Sequence, residues 1–95
     1  MNKYELTIVA KPTLEEEVLN TEFAQIQELI ERFGGTVEKV DDWGKRRLAY
    51  EIQKTMEGVY RFVTFTAPAS TPTELEGRMR IRENLLRYLI VKEEA

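Results

Sequence analysis

The chain has 95 residues, of which 42% are hydrophobic and 33% are charged, and its formal net charge is −3. It contains no cysteine and no histidine, which excludes disulfides, thiolate chemistry, cysteine-bound metals and the commonest general base. We therefore expect that the protein is not an enzyme and binds neither a metal nor a cofactor. The negative net charge argues against nucleic-acid binding unless the positive charges are grouped on one part of the surface.

The length limits the chain to one domain, which we place over residues 1–95. No apolar run approaches the roughly 18 residues that cross a bilayer. The first ten residues alternate apolar and polar side chains, which is not the pattern of a signal peptide. We expect a cytoplasmic protein without a membrane partner.

The first third of the chain predicts a strand and a helix. Lys3–Val9 alternates apolar and polar residues, which indicates a strand with one buried face. Thr13 and Glu16 have the spacing of a capping box, which predicts that a helix begins at Thr13. One apolar face of that helix is formed by Leu19, Phe23, Ile26, Ile30 and Phe33. Gly34 and Gly35 are expected to end it.

The middle of the chain predicts two further strands. Thr36–Val40 and Arg46–Ile52 have strand composition, and an Asp-Asp-Trp-Gly segment separates them. Either they form one long strand with a bulge or twist at Gly44, or they are two strands with a bend. After a turn at Lys54–Gly58, Val59–Thr66 is rich in β-branched and aromatic residues and predicts the next strand.

The last third predicts a second helix and a final strand. Thr71–Glu74 has a helix-start pattern that includes a proline, and Leu75 and Met79 should face inward. Leu86–Lys92 fits a longer helix or a strand, and we favour the strand because Asn84 breaks the helical pattern. The order β-α-β-β-α-β predicts an α+β, ferredoxin-like fold, a four-stranded antiparallel sheet with two helices on one face.

Such a fold leaves one face of its sheet open. In the third strand, Val63 and Phe65 share one face, and Phe65 is expected to meet Ile8 of the first strand. Tyr60 and Phe62 lie on the opposite face. A solvated face normally carries polar residues, so this apolar patch favours binding of a protein partner. The alternative is that these are ordinary surface aromatic residues, which require no partner.

The longest run of positive charge comprises Lys45, Arg46 and Arg47, beside Trp43. Guanidinium groups match phosphate geometry, and an adjacent ring can pack on a sugar. The same charges also fit a solvated edge strand that is protected against pairing, and the sequence leaves both interpretations open. Acidic residues concentrate in the first predicted helix, so a basic rim is compatible with the negative net charge.

A second basic group lies in and just after the second predicted helix and comprises Arg78, Arg80, Arg82 and Arg87. Glu74 precedes Arg78 by four residues, which is the spacing of an ion pair on a helix face. Glu83 and Arg87 have the same spacing and would pair if the helix continued. We interpret this group as a solvated helix face.

Several stretches are characteristic in combination. They are Lys3–Glu5, Gly34–Val40, Trp43–Tyr50, Arg80–Asn84 and Val91-Lys92. The most specific is Trp-Gly-Lys-Arg-Arg-Leu-Ala-Tyr at 43–50, which follows an acidic pair. In this combination the chain resembles the bacterial small-subunit ribosomal protein six family over essentially its whole length.

The resemblance implies a non-enzymatic role, the binding of small-subunit (16S) ribosomal RNA together with small-subunit ribosomal protein eighteen in the platform of the subunit. It implies RNA contacts by basic residues of the first two strands and the chain ends. With Arg87 added, the candidates are Lys3, Lys45, Arg46, Arg47, Arg87 and Lys92. For the protein partner, the candidates on the open sheet face are Trp43, Tyr50, Tyr60, Phe62 and Val91. No small-molecule substrate is expected.

Two other functions fit the same fold, since a fold does not determine a function. A ferredoxin-like regulatory domain would bind a small metabolite and dimerise through its open sheet face, but no glycine-rich loop follows the first strand. An acylphosphatase-type hydrolase needs a phosphate-cradling loop, and Lys11-Pro12-Thr13 contains no glycine. The regulatory domain is kept as the alternative.

Overall fold

The computed structural model describes residues 1–52 and 54–93. Its elements, in chain order, are β1 (Asn2–Ala10), α1 (Glu16–Arg32), β2 (Thr36–Ile52), β3 (Thr55–Ala67), α2 (Thr71–Met79) and β4 (Leu85–Lys92). The strands form an antiparallel sheet in the order β2-β3-β1-β4. The predicted ferredoxin-like fold is confirmed. No helix in the described part of the chain is long and apolar enough to cross a bilayer.

The core fills the space between one face of the sheet and the two helices. The sheet contributes Tyr4, Leu6, Ile8, Ala10, Val59, Val63, Phe65, Ala67 and Leu85. The helices contribute Phe23, Ile26, Ile30, Leu75 and Met79. Full burial of one large apolar side chain contributes about 1.5–3 kcal/mol. The alternation of apolar and polar residues in β1 and the helical spacing of apolar residues in α1 predicted these buried faces correctly.

The pairing of β1 with β3 differs from the expected register. Phe65 lies opposite Tyr4, with ring centroids 5.5 Å apart, and Ile8 lies opposite Arg61. The prediction that Phe65 meets Ile8 is wrong because the two strands are antiparallel: Phe65 lies near the end of β3 and therefore falls opposite the start of β1, whereas Ile8 lies near the end of β1. The predicted turn at Lys54–Gly58 is also shorter, since Thr55 to Gly58 belong to the strand.

The start of α1 also differs from the prediction, whereas its end agrees. The N-cap is Glu15, in an extended conformation and without a side-chain capping bond, so the capping box at Thr13 is wrong. Pro12 and Thr13 form a turn before the helix instead. At the other end, Gly34 adopts a φ of +89°, which glycine tolerates at low cost. Its N–H donates to the carbonyl of Glu31 at 3.1 Å.

β2 is one long strand, so the first of the two alternatives is confirmed. Its register against β3 shifts between Asp42 and Gly44, where Gly44 has a φ of +70°, and again between Arg47 and Ile52. Ala10 pairs with Val59, so the last part of the hairpin extends beyond the end of β1. We name residues 45–52 of β2 and 55–58 of β3 the hairpin arm.

The final segment is a strand, as predicted. The arginines that precede and begin it do not form the single helix face that was expected. α2 ends at Met79, so the spacing of Glu83 and Arg87 does not fall on a helix. Arg78 lies over the ring of Phe33, at 5.8 Å from its centroid. Within residues 1–52 and 54–93 the ion pairs are Lys3–Glu38, Arg61–Asp42 and Arg82–Glu22. The Glu74–Arg78 ion pair that the four-residue spacing suggested is therefore not among them, and the condition for a Glu83–Arg87 pair, a helix that continues, is not met.

Candidate nucleic-acid and partner interface

The open face of the sheet carries apolar side chains on β2, β3 and β4, which we name the apolar strip; Thr7 of β1 lies between Phe62 and Leu89 in it. Tyr60 and Phe62 of β3 are half-buried on this face, with ring centroids 6.4 Å apart. Trp43 packs edge-on against Phe62, at 4.8 Å between centroids. Leu89 and Val91 of β4 are 48% and 49% exposed at the other edge. The structure therefore brings four of the five predicted partner residues onto one surface, and it adds Leu89.

Trp43 reaches this strip because of the irregularity at Gly44. Asp42 pairs with Arg61 and Gly44 pairs with Tyr60, so Trp43 is the extra residue of a bulge. A bulge reorients the side chain of its extra residue, and the positive φ of Gly44 permits the bend. The Trp-Gly pair in the sequence thus places an indole ring against Phe62.

A shallow depression of about 260 Å³ lies beside the strip. Its walls combine the rings of Trp43 and Phe62 with the carboxylates of Glu5 and Asp41, while Lys39 contributes the single positive charge. Apolar surface next to two carboxylates favours a ligand segment that presents both apolar and basic side chains.

The hairpin arm covers the remaining end of the open face. Val9 points to this face yet is only 2% exposed, and Leu48 of the arm is 6% exposed. A small cavity of about 60 Å³ lies between them and Tyr60. The arm extends to the far edge of the sheet, where Nη1 of Arg87 donates to the hydroxyl of Tyr50 at 2.6 Å.

This closure gives Tyr50 and Arg87 roles that the sequence does not reveal. Tyr50 was predicted as a partner residue and Arg87 as an RNA-binding residue, and the structure joins them in one contact between β2 and β4. They are 37 positions apart in sequence, and no local pattern relates them. Val9 and Leu48 were likewise missed, because their burial on the open face depends entirely on the arm.

Three of the predicted RNA-binding residues lie in the arm. Lys45, Arg46 and Arg47 are all exposed. The guanidinium of Arg46 lies 5.5 Å from the ring centroid of Trp43, a cation–π contact worth about 0.5–1 kcal/mol at an exposed site. Arg46 therefore links the basic run directly to the apolar strip.

The other two predicted lysines lie at the opposite end of the sheet. Lys92 pairs with Tyr4, and the carbonyl of Lys3 accepts a hydrogen bond from the N–H of Glu93 at 2.8 Å. Nζ of Lys3 lies 3.4 Å from Glu38, so part of its charge is compensated. From Tyr4 to Val9, β1 spans roughly 17 Å at about 3.4 Å per residue. The structure thus divides the predicted RNA-binding residues into two groups.

Another polar cluster joins α1 to the turn between α2 and β4. The carboxylate of Glu22 is buried and accepts hydrogen bonds from Arg82 and from Asn84, each at 3.2 Å. Arg82 also donates to the side-chain oxygen of Gln25 at 3.0 Å. Because the guanidinium of Arg82 donates hydrogen bonds to two side chains of α1, its role is to attach this turn to the helix. In the described ranges, no group of three or more acidic side chains is placed to hold a metal.

Comparison with known proteins agrees with this geometry. The family model described as ribosomal protein S6 matches residues 3–92. Small ribosomal subunit protein bS6 of Clostridium acetobutylicum is 46% identical over 91 residues, which cover 96% of both chains. The protein of the same name from Clostridium beijerinckii is 45% identical over 94 residues, 99% of both chains.

The fold has a solved counterpart as well. The crystal structure of 30S ribosomal protein S6 from Thermotoga maritima superimposes with a TM-score of 0.93 at 28% sequence identity, covering 97% of this chain and 87% of that one. The resemblance seen in the sequence is therefore confirmed by family model, by relatives and by structure. The chain belongs to the ribosomal protein S6 family, a structural and non-enzymatic family of the small subunit of the cytoplasmic ribosome.

Proposed function

We propose that this chain binds 16S ribosomal RNA together with small-subunit ribosomal protein eighteen in the platform of the small subunit, as one domain over residues 1–95. The observation that carries the proposal is the continuity of the two candidate surfaces. Arg46 lies over Trp43, and Trp43 packs against Phe62. A protein on the apolar strip and an RNA backbone along the arm would therefore adjoin each other.

The arm supplies the RNA contacts in this proposal. Lys45, Arg46 and Arg47 are exposed and form no ion pair within the described ranges. Each phosphate contact contributes a slope of about −0.9 to log K against log salt on duplex DNA and about −0.7 on single strands. Three contacts on a chain with a net charge of −3 would give weak binding. We therefore expect the isolated chain to bind RNA weakly and the pair of proteins to bind it strongly.

The strip and its acidic depression supply the protein contacts. Tyr60, Phe62 and Val91 provide apolar area, and Glu5 and Asp41 favour a partner segment with basic side chains. Tyr50 contributes through the arm, which closes one end of the surface. Membership of a ribosomal protein family is the reason to set aside a metabolite-binding regulatory domain.

A titration of a 16S platform fragment, with and without protein eighteen, tests the proposal. We expect the dissociation constant of the isolated chain to exceed the nanomolar range and to fall when protein eighteen is added. Nanomolar binding by the chain alone would contradict the cooperative mechanism. No binding in either case would contradict RNA binding itself.

The double variant Arg46→Ala, Arg47→Ala tests the arm. We expect weaker assembly with an unchanged melting temperature, because exposed charges contribute about 0–1 kcal/mol to stability. The control is Arg32→Glu, which changes the net charge by the same two units in the last turn of α1, where Arg32 is exposed. A large loss of melting temperature with intact assembly would show that the two arginines are structural.

A further inference from the structure

A groove of about 630 Å³ lies between the turn that follows α2, the start of β4 and the residue that follows β1. The cations that line it are Lys11, Arg80, Arg82 and Arg87. Lys11 is held beside the turn because its N–H donates to the carbonyl of Asn84 at 3.0 Å. Glu83 is the one carboxylate in its lining. The groove therefore combines several positive charges with a single negative one.

Most of this positive charge is uncompensated. Arg82 is paired with Glu22, whereas Lys11, Arg80 and Arg87 form no ion pair with any residue in 1–52 or 54–93. Arg80 is the C-cap of α2, and the helix end contributes roughly half a negative charge there. Together with Glu83 this leaves an excess of positive charge, so the groove favours an anionic ligand.

The lining also distinguishes among anions. Ile81 lines the groove together with Arg80 and Arg82 and is 76% exposed, the most exposed large apolar side chain within the described ranges after Met1. A single exposed isoleucine needs no explanation by itself. Beside uncompensated cations, however, it offers the apolar contact that a ribose or a base can use and that a free phosphate cannot. The combination favours an RNA backbone.

The groove is continuous with the hairpin arm. Ala10 pairs with Val59 on one side and with Leu85 on the other, so the arm and the groove lie at the same end of the sheet. Arg87 belongs to the groove and donates to Tyr50 of the arm. We infer that the groove is a second RNA-binding surface, which contacts phosphates of the same RNA through Lys11 and Arg80; this inference rests on the proposed function.

The test is the salt dependence of RNA binding by the variant Lys11→Gln, Arg80→Gln. The complex with protein eighteen is titrated with a platform fragment of 16S rRNA between 50 and 200 mM salt. At about 0.7–0.9 per phosphate, two lost contacts reduce the slope by about 1.4–1.8, so over this range the wild type loses about tenfold more affinity than the variant. Each single variant should show half of the change in slope.

Arg32→Glu serves again as the control, because Arg32 lies near the opposite end of the sheet, two residues before Gly34. An equal fall in slope in the control would mean that total charge is responsible, and the inference would be wrong. If the slope is unchanged in Lys11→Gln, Arg80→Gln, while Arg46→Ala, Arg47→Ala still weakens RNA binding, the inference about the groove is wrong and the proposed function stands. Absence of RNA binding by the wild-type complex would overturn the proposed function as well.

A polyglutamate peptide separates RNA from an acidic protein ligand. If the groove binds RNA, the slope of log K against log salt for RNA binding falls in Lys11→Gln, Arg80→Gln, and this variant binds the peptide with the same affinity as the Arg32→Glu control. Selective loss of peptide binding with an unchanged RNA slope would identify a site for an acidic polypeptide and refute the inference.

Discussion

The assignment of the two sheet faces can be tested by truncating one phenylalanine on each. Phe65 is fully buried and packs on Tyr4, so Phe65→Ala should destabilise the fold by about 3–5 kcal/mol. Phe62 is half-buried and loses mainly its contacts with Trp43 and Tyr60, each worth about 0.5–1.5 kcal/mol beyond area. At about 5 °C per kcal/mol for a domain of this size, the melting temperature should fall by roughly 15–25 °C in Phe65→Ala and by roughly 5–15 °C in Phe62→Ala.

Binding should show the opposite order. An interface anchor contributes about 2 kcal/mol or more to association, which is about a 30-fold loss of affinity for protein eighteen in Phe62→Ala. Phe65→Ala, measured well below its melting temperature, should bind with near-normal affinity. Thermal denaturation and a binding titration on both variants decide the matter. If Phe62→Ala unfolds the protein and Phe65→Ala does not, the faces have been assigned the wrong way round.

Two further predictions concern the arm. Tyr50→Phe removes the hydroxyl that accepts a hydrogen bond from Arg87. Since both residues are exposed, the free energy of unfolding should fall by at most about 1 kcal/mol, and amide hydrogen exchange in residues 45–52 should accelerate. Unchanged exchange would mean that this hydrogen bond does not hold the arm. Gly58→Ala introduces a β-carbon that overlaps the side chain of Val9, so the free energy of unfolding in urea should fall by about 1–3 kcal/mol; a gain in stability would show that the arm shifts freely.

Local patterns predicted the elements, because alternation and helical spacing depend only on which face is buried. The alternation in β1 and the apolar face of α1 that includes Phe23 and Ile26 are examples. A capping motif is weaker evidence, since Thr13 has the right partner at the right spacing but lies in the turn after Pro12. The helix begins only where the chain has completed that turn.

Non-local features could not be predicted in the same way. The register that places Phe65 opposite Tyr4 depends on how β1 and residues 59–67 of β3, which are far apart in sequence, align in the antiparallel sheet. The contact between Tyr50 and Arg87 depends on three neighbouring strand pairings and on the bend of β2. The groove cations Lys11 and Arg80 come from segments 69 positions apart. Only the assembled sheet brings them together.

The contact between Tyr50 and Arg87 also has a consequence for the thermodynamics of assembly. A sheet fastened only through its central strands can twist, so its two edges move relative to each other. Here the first edge strand is fastened directly to the other across the open face. This brace preorganises the surface, so less conformational entropy is lost when a ligand spans both edges. Release of the brace should therefore appear as a less favourable entropy of association, even where every ligand-contacting side chain is retained.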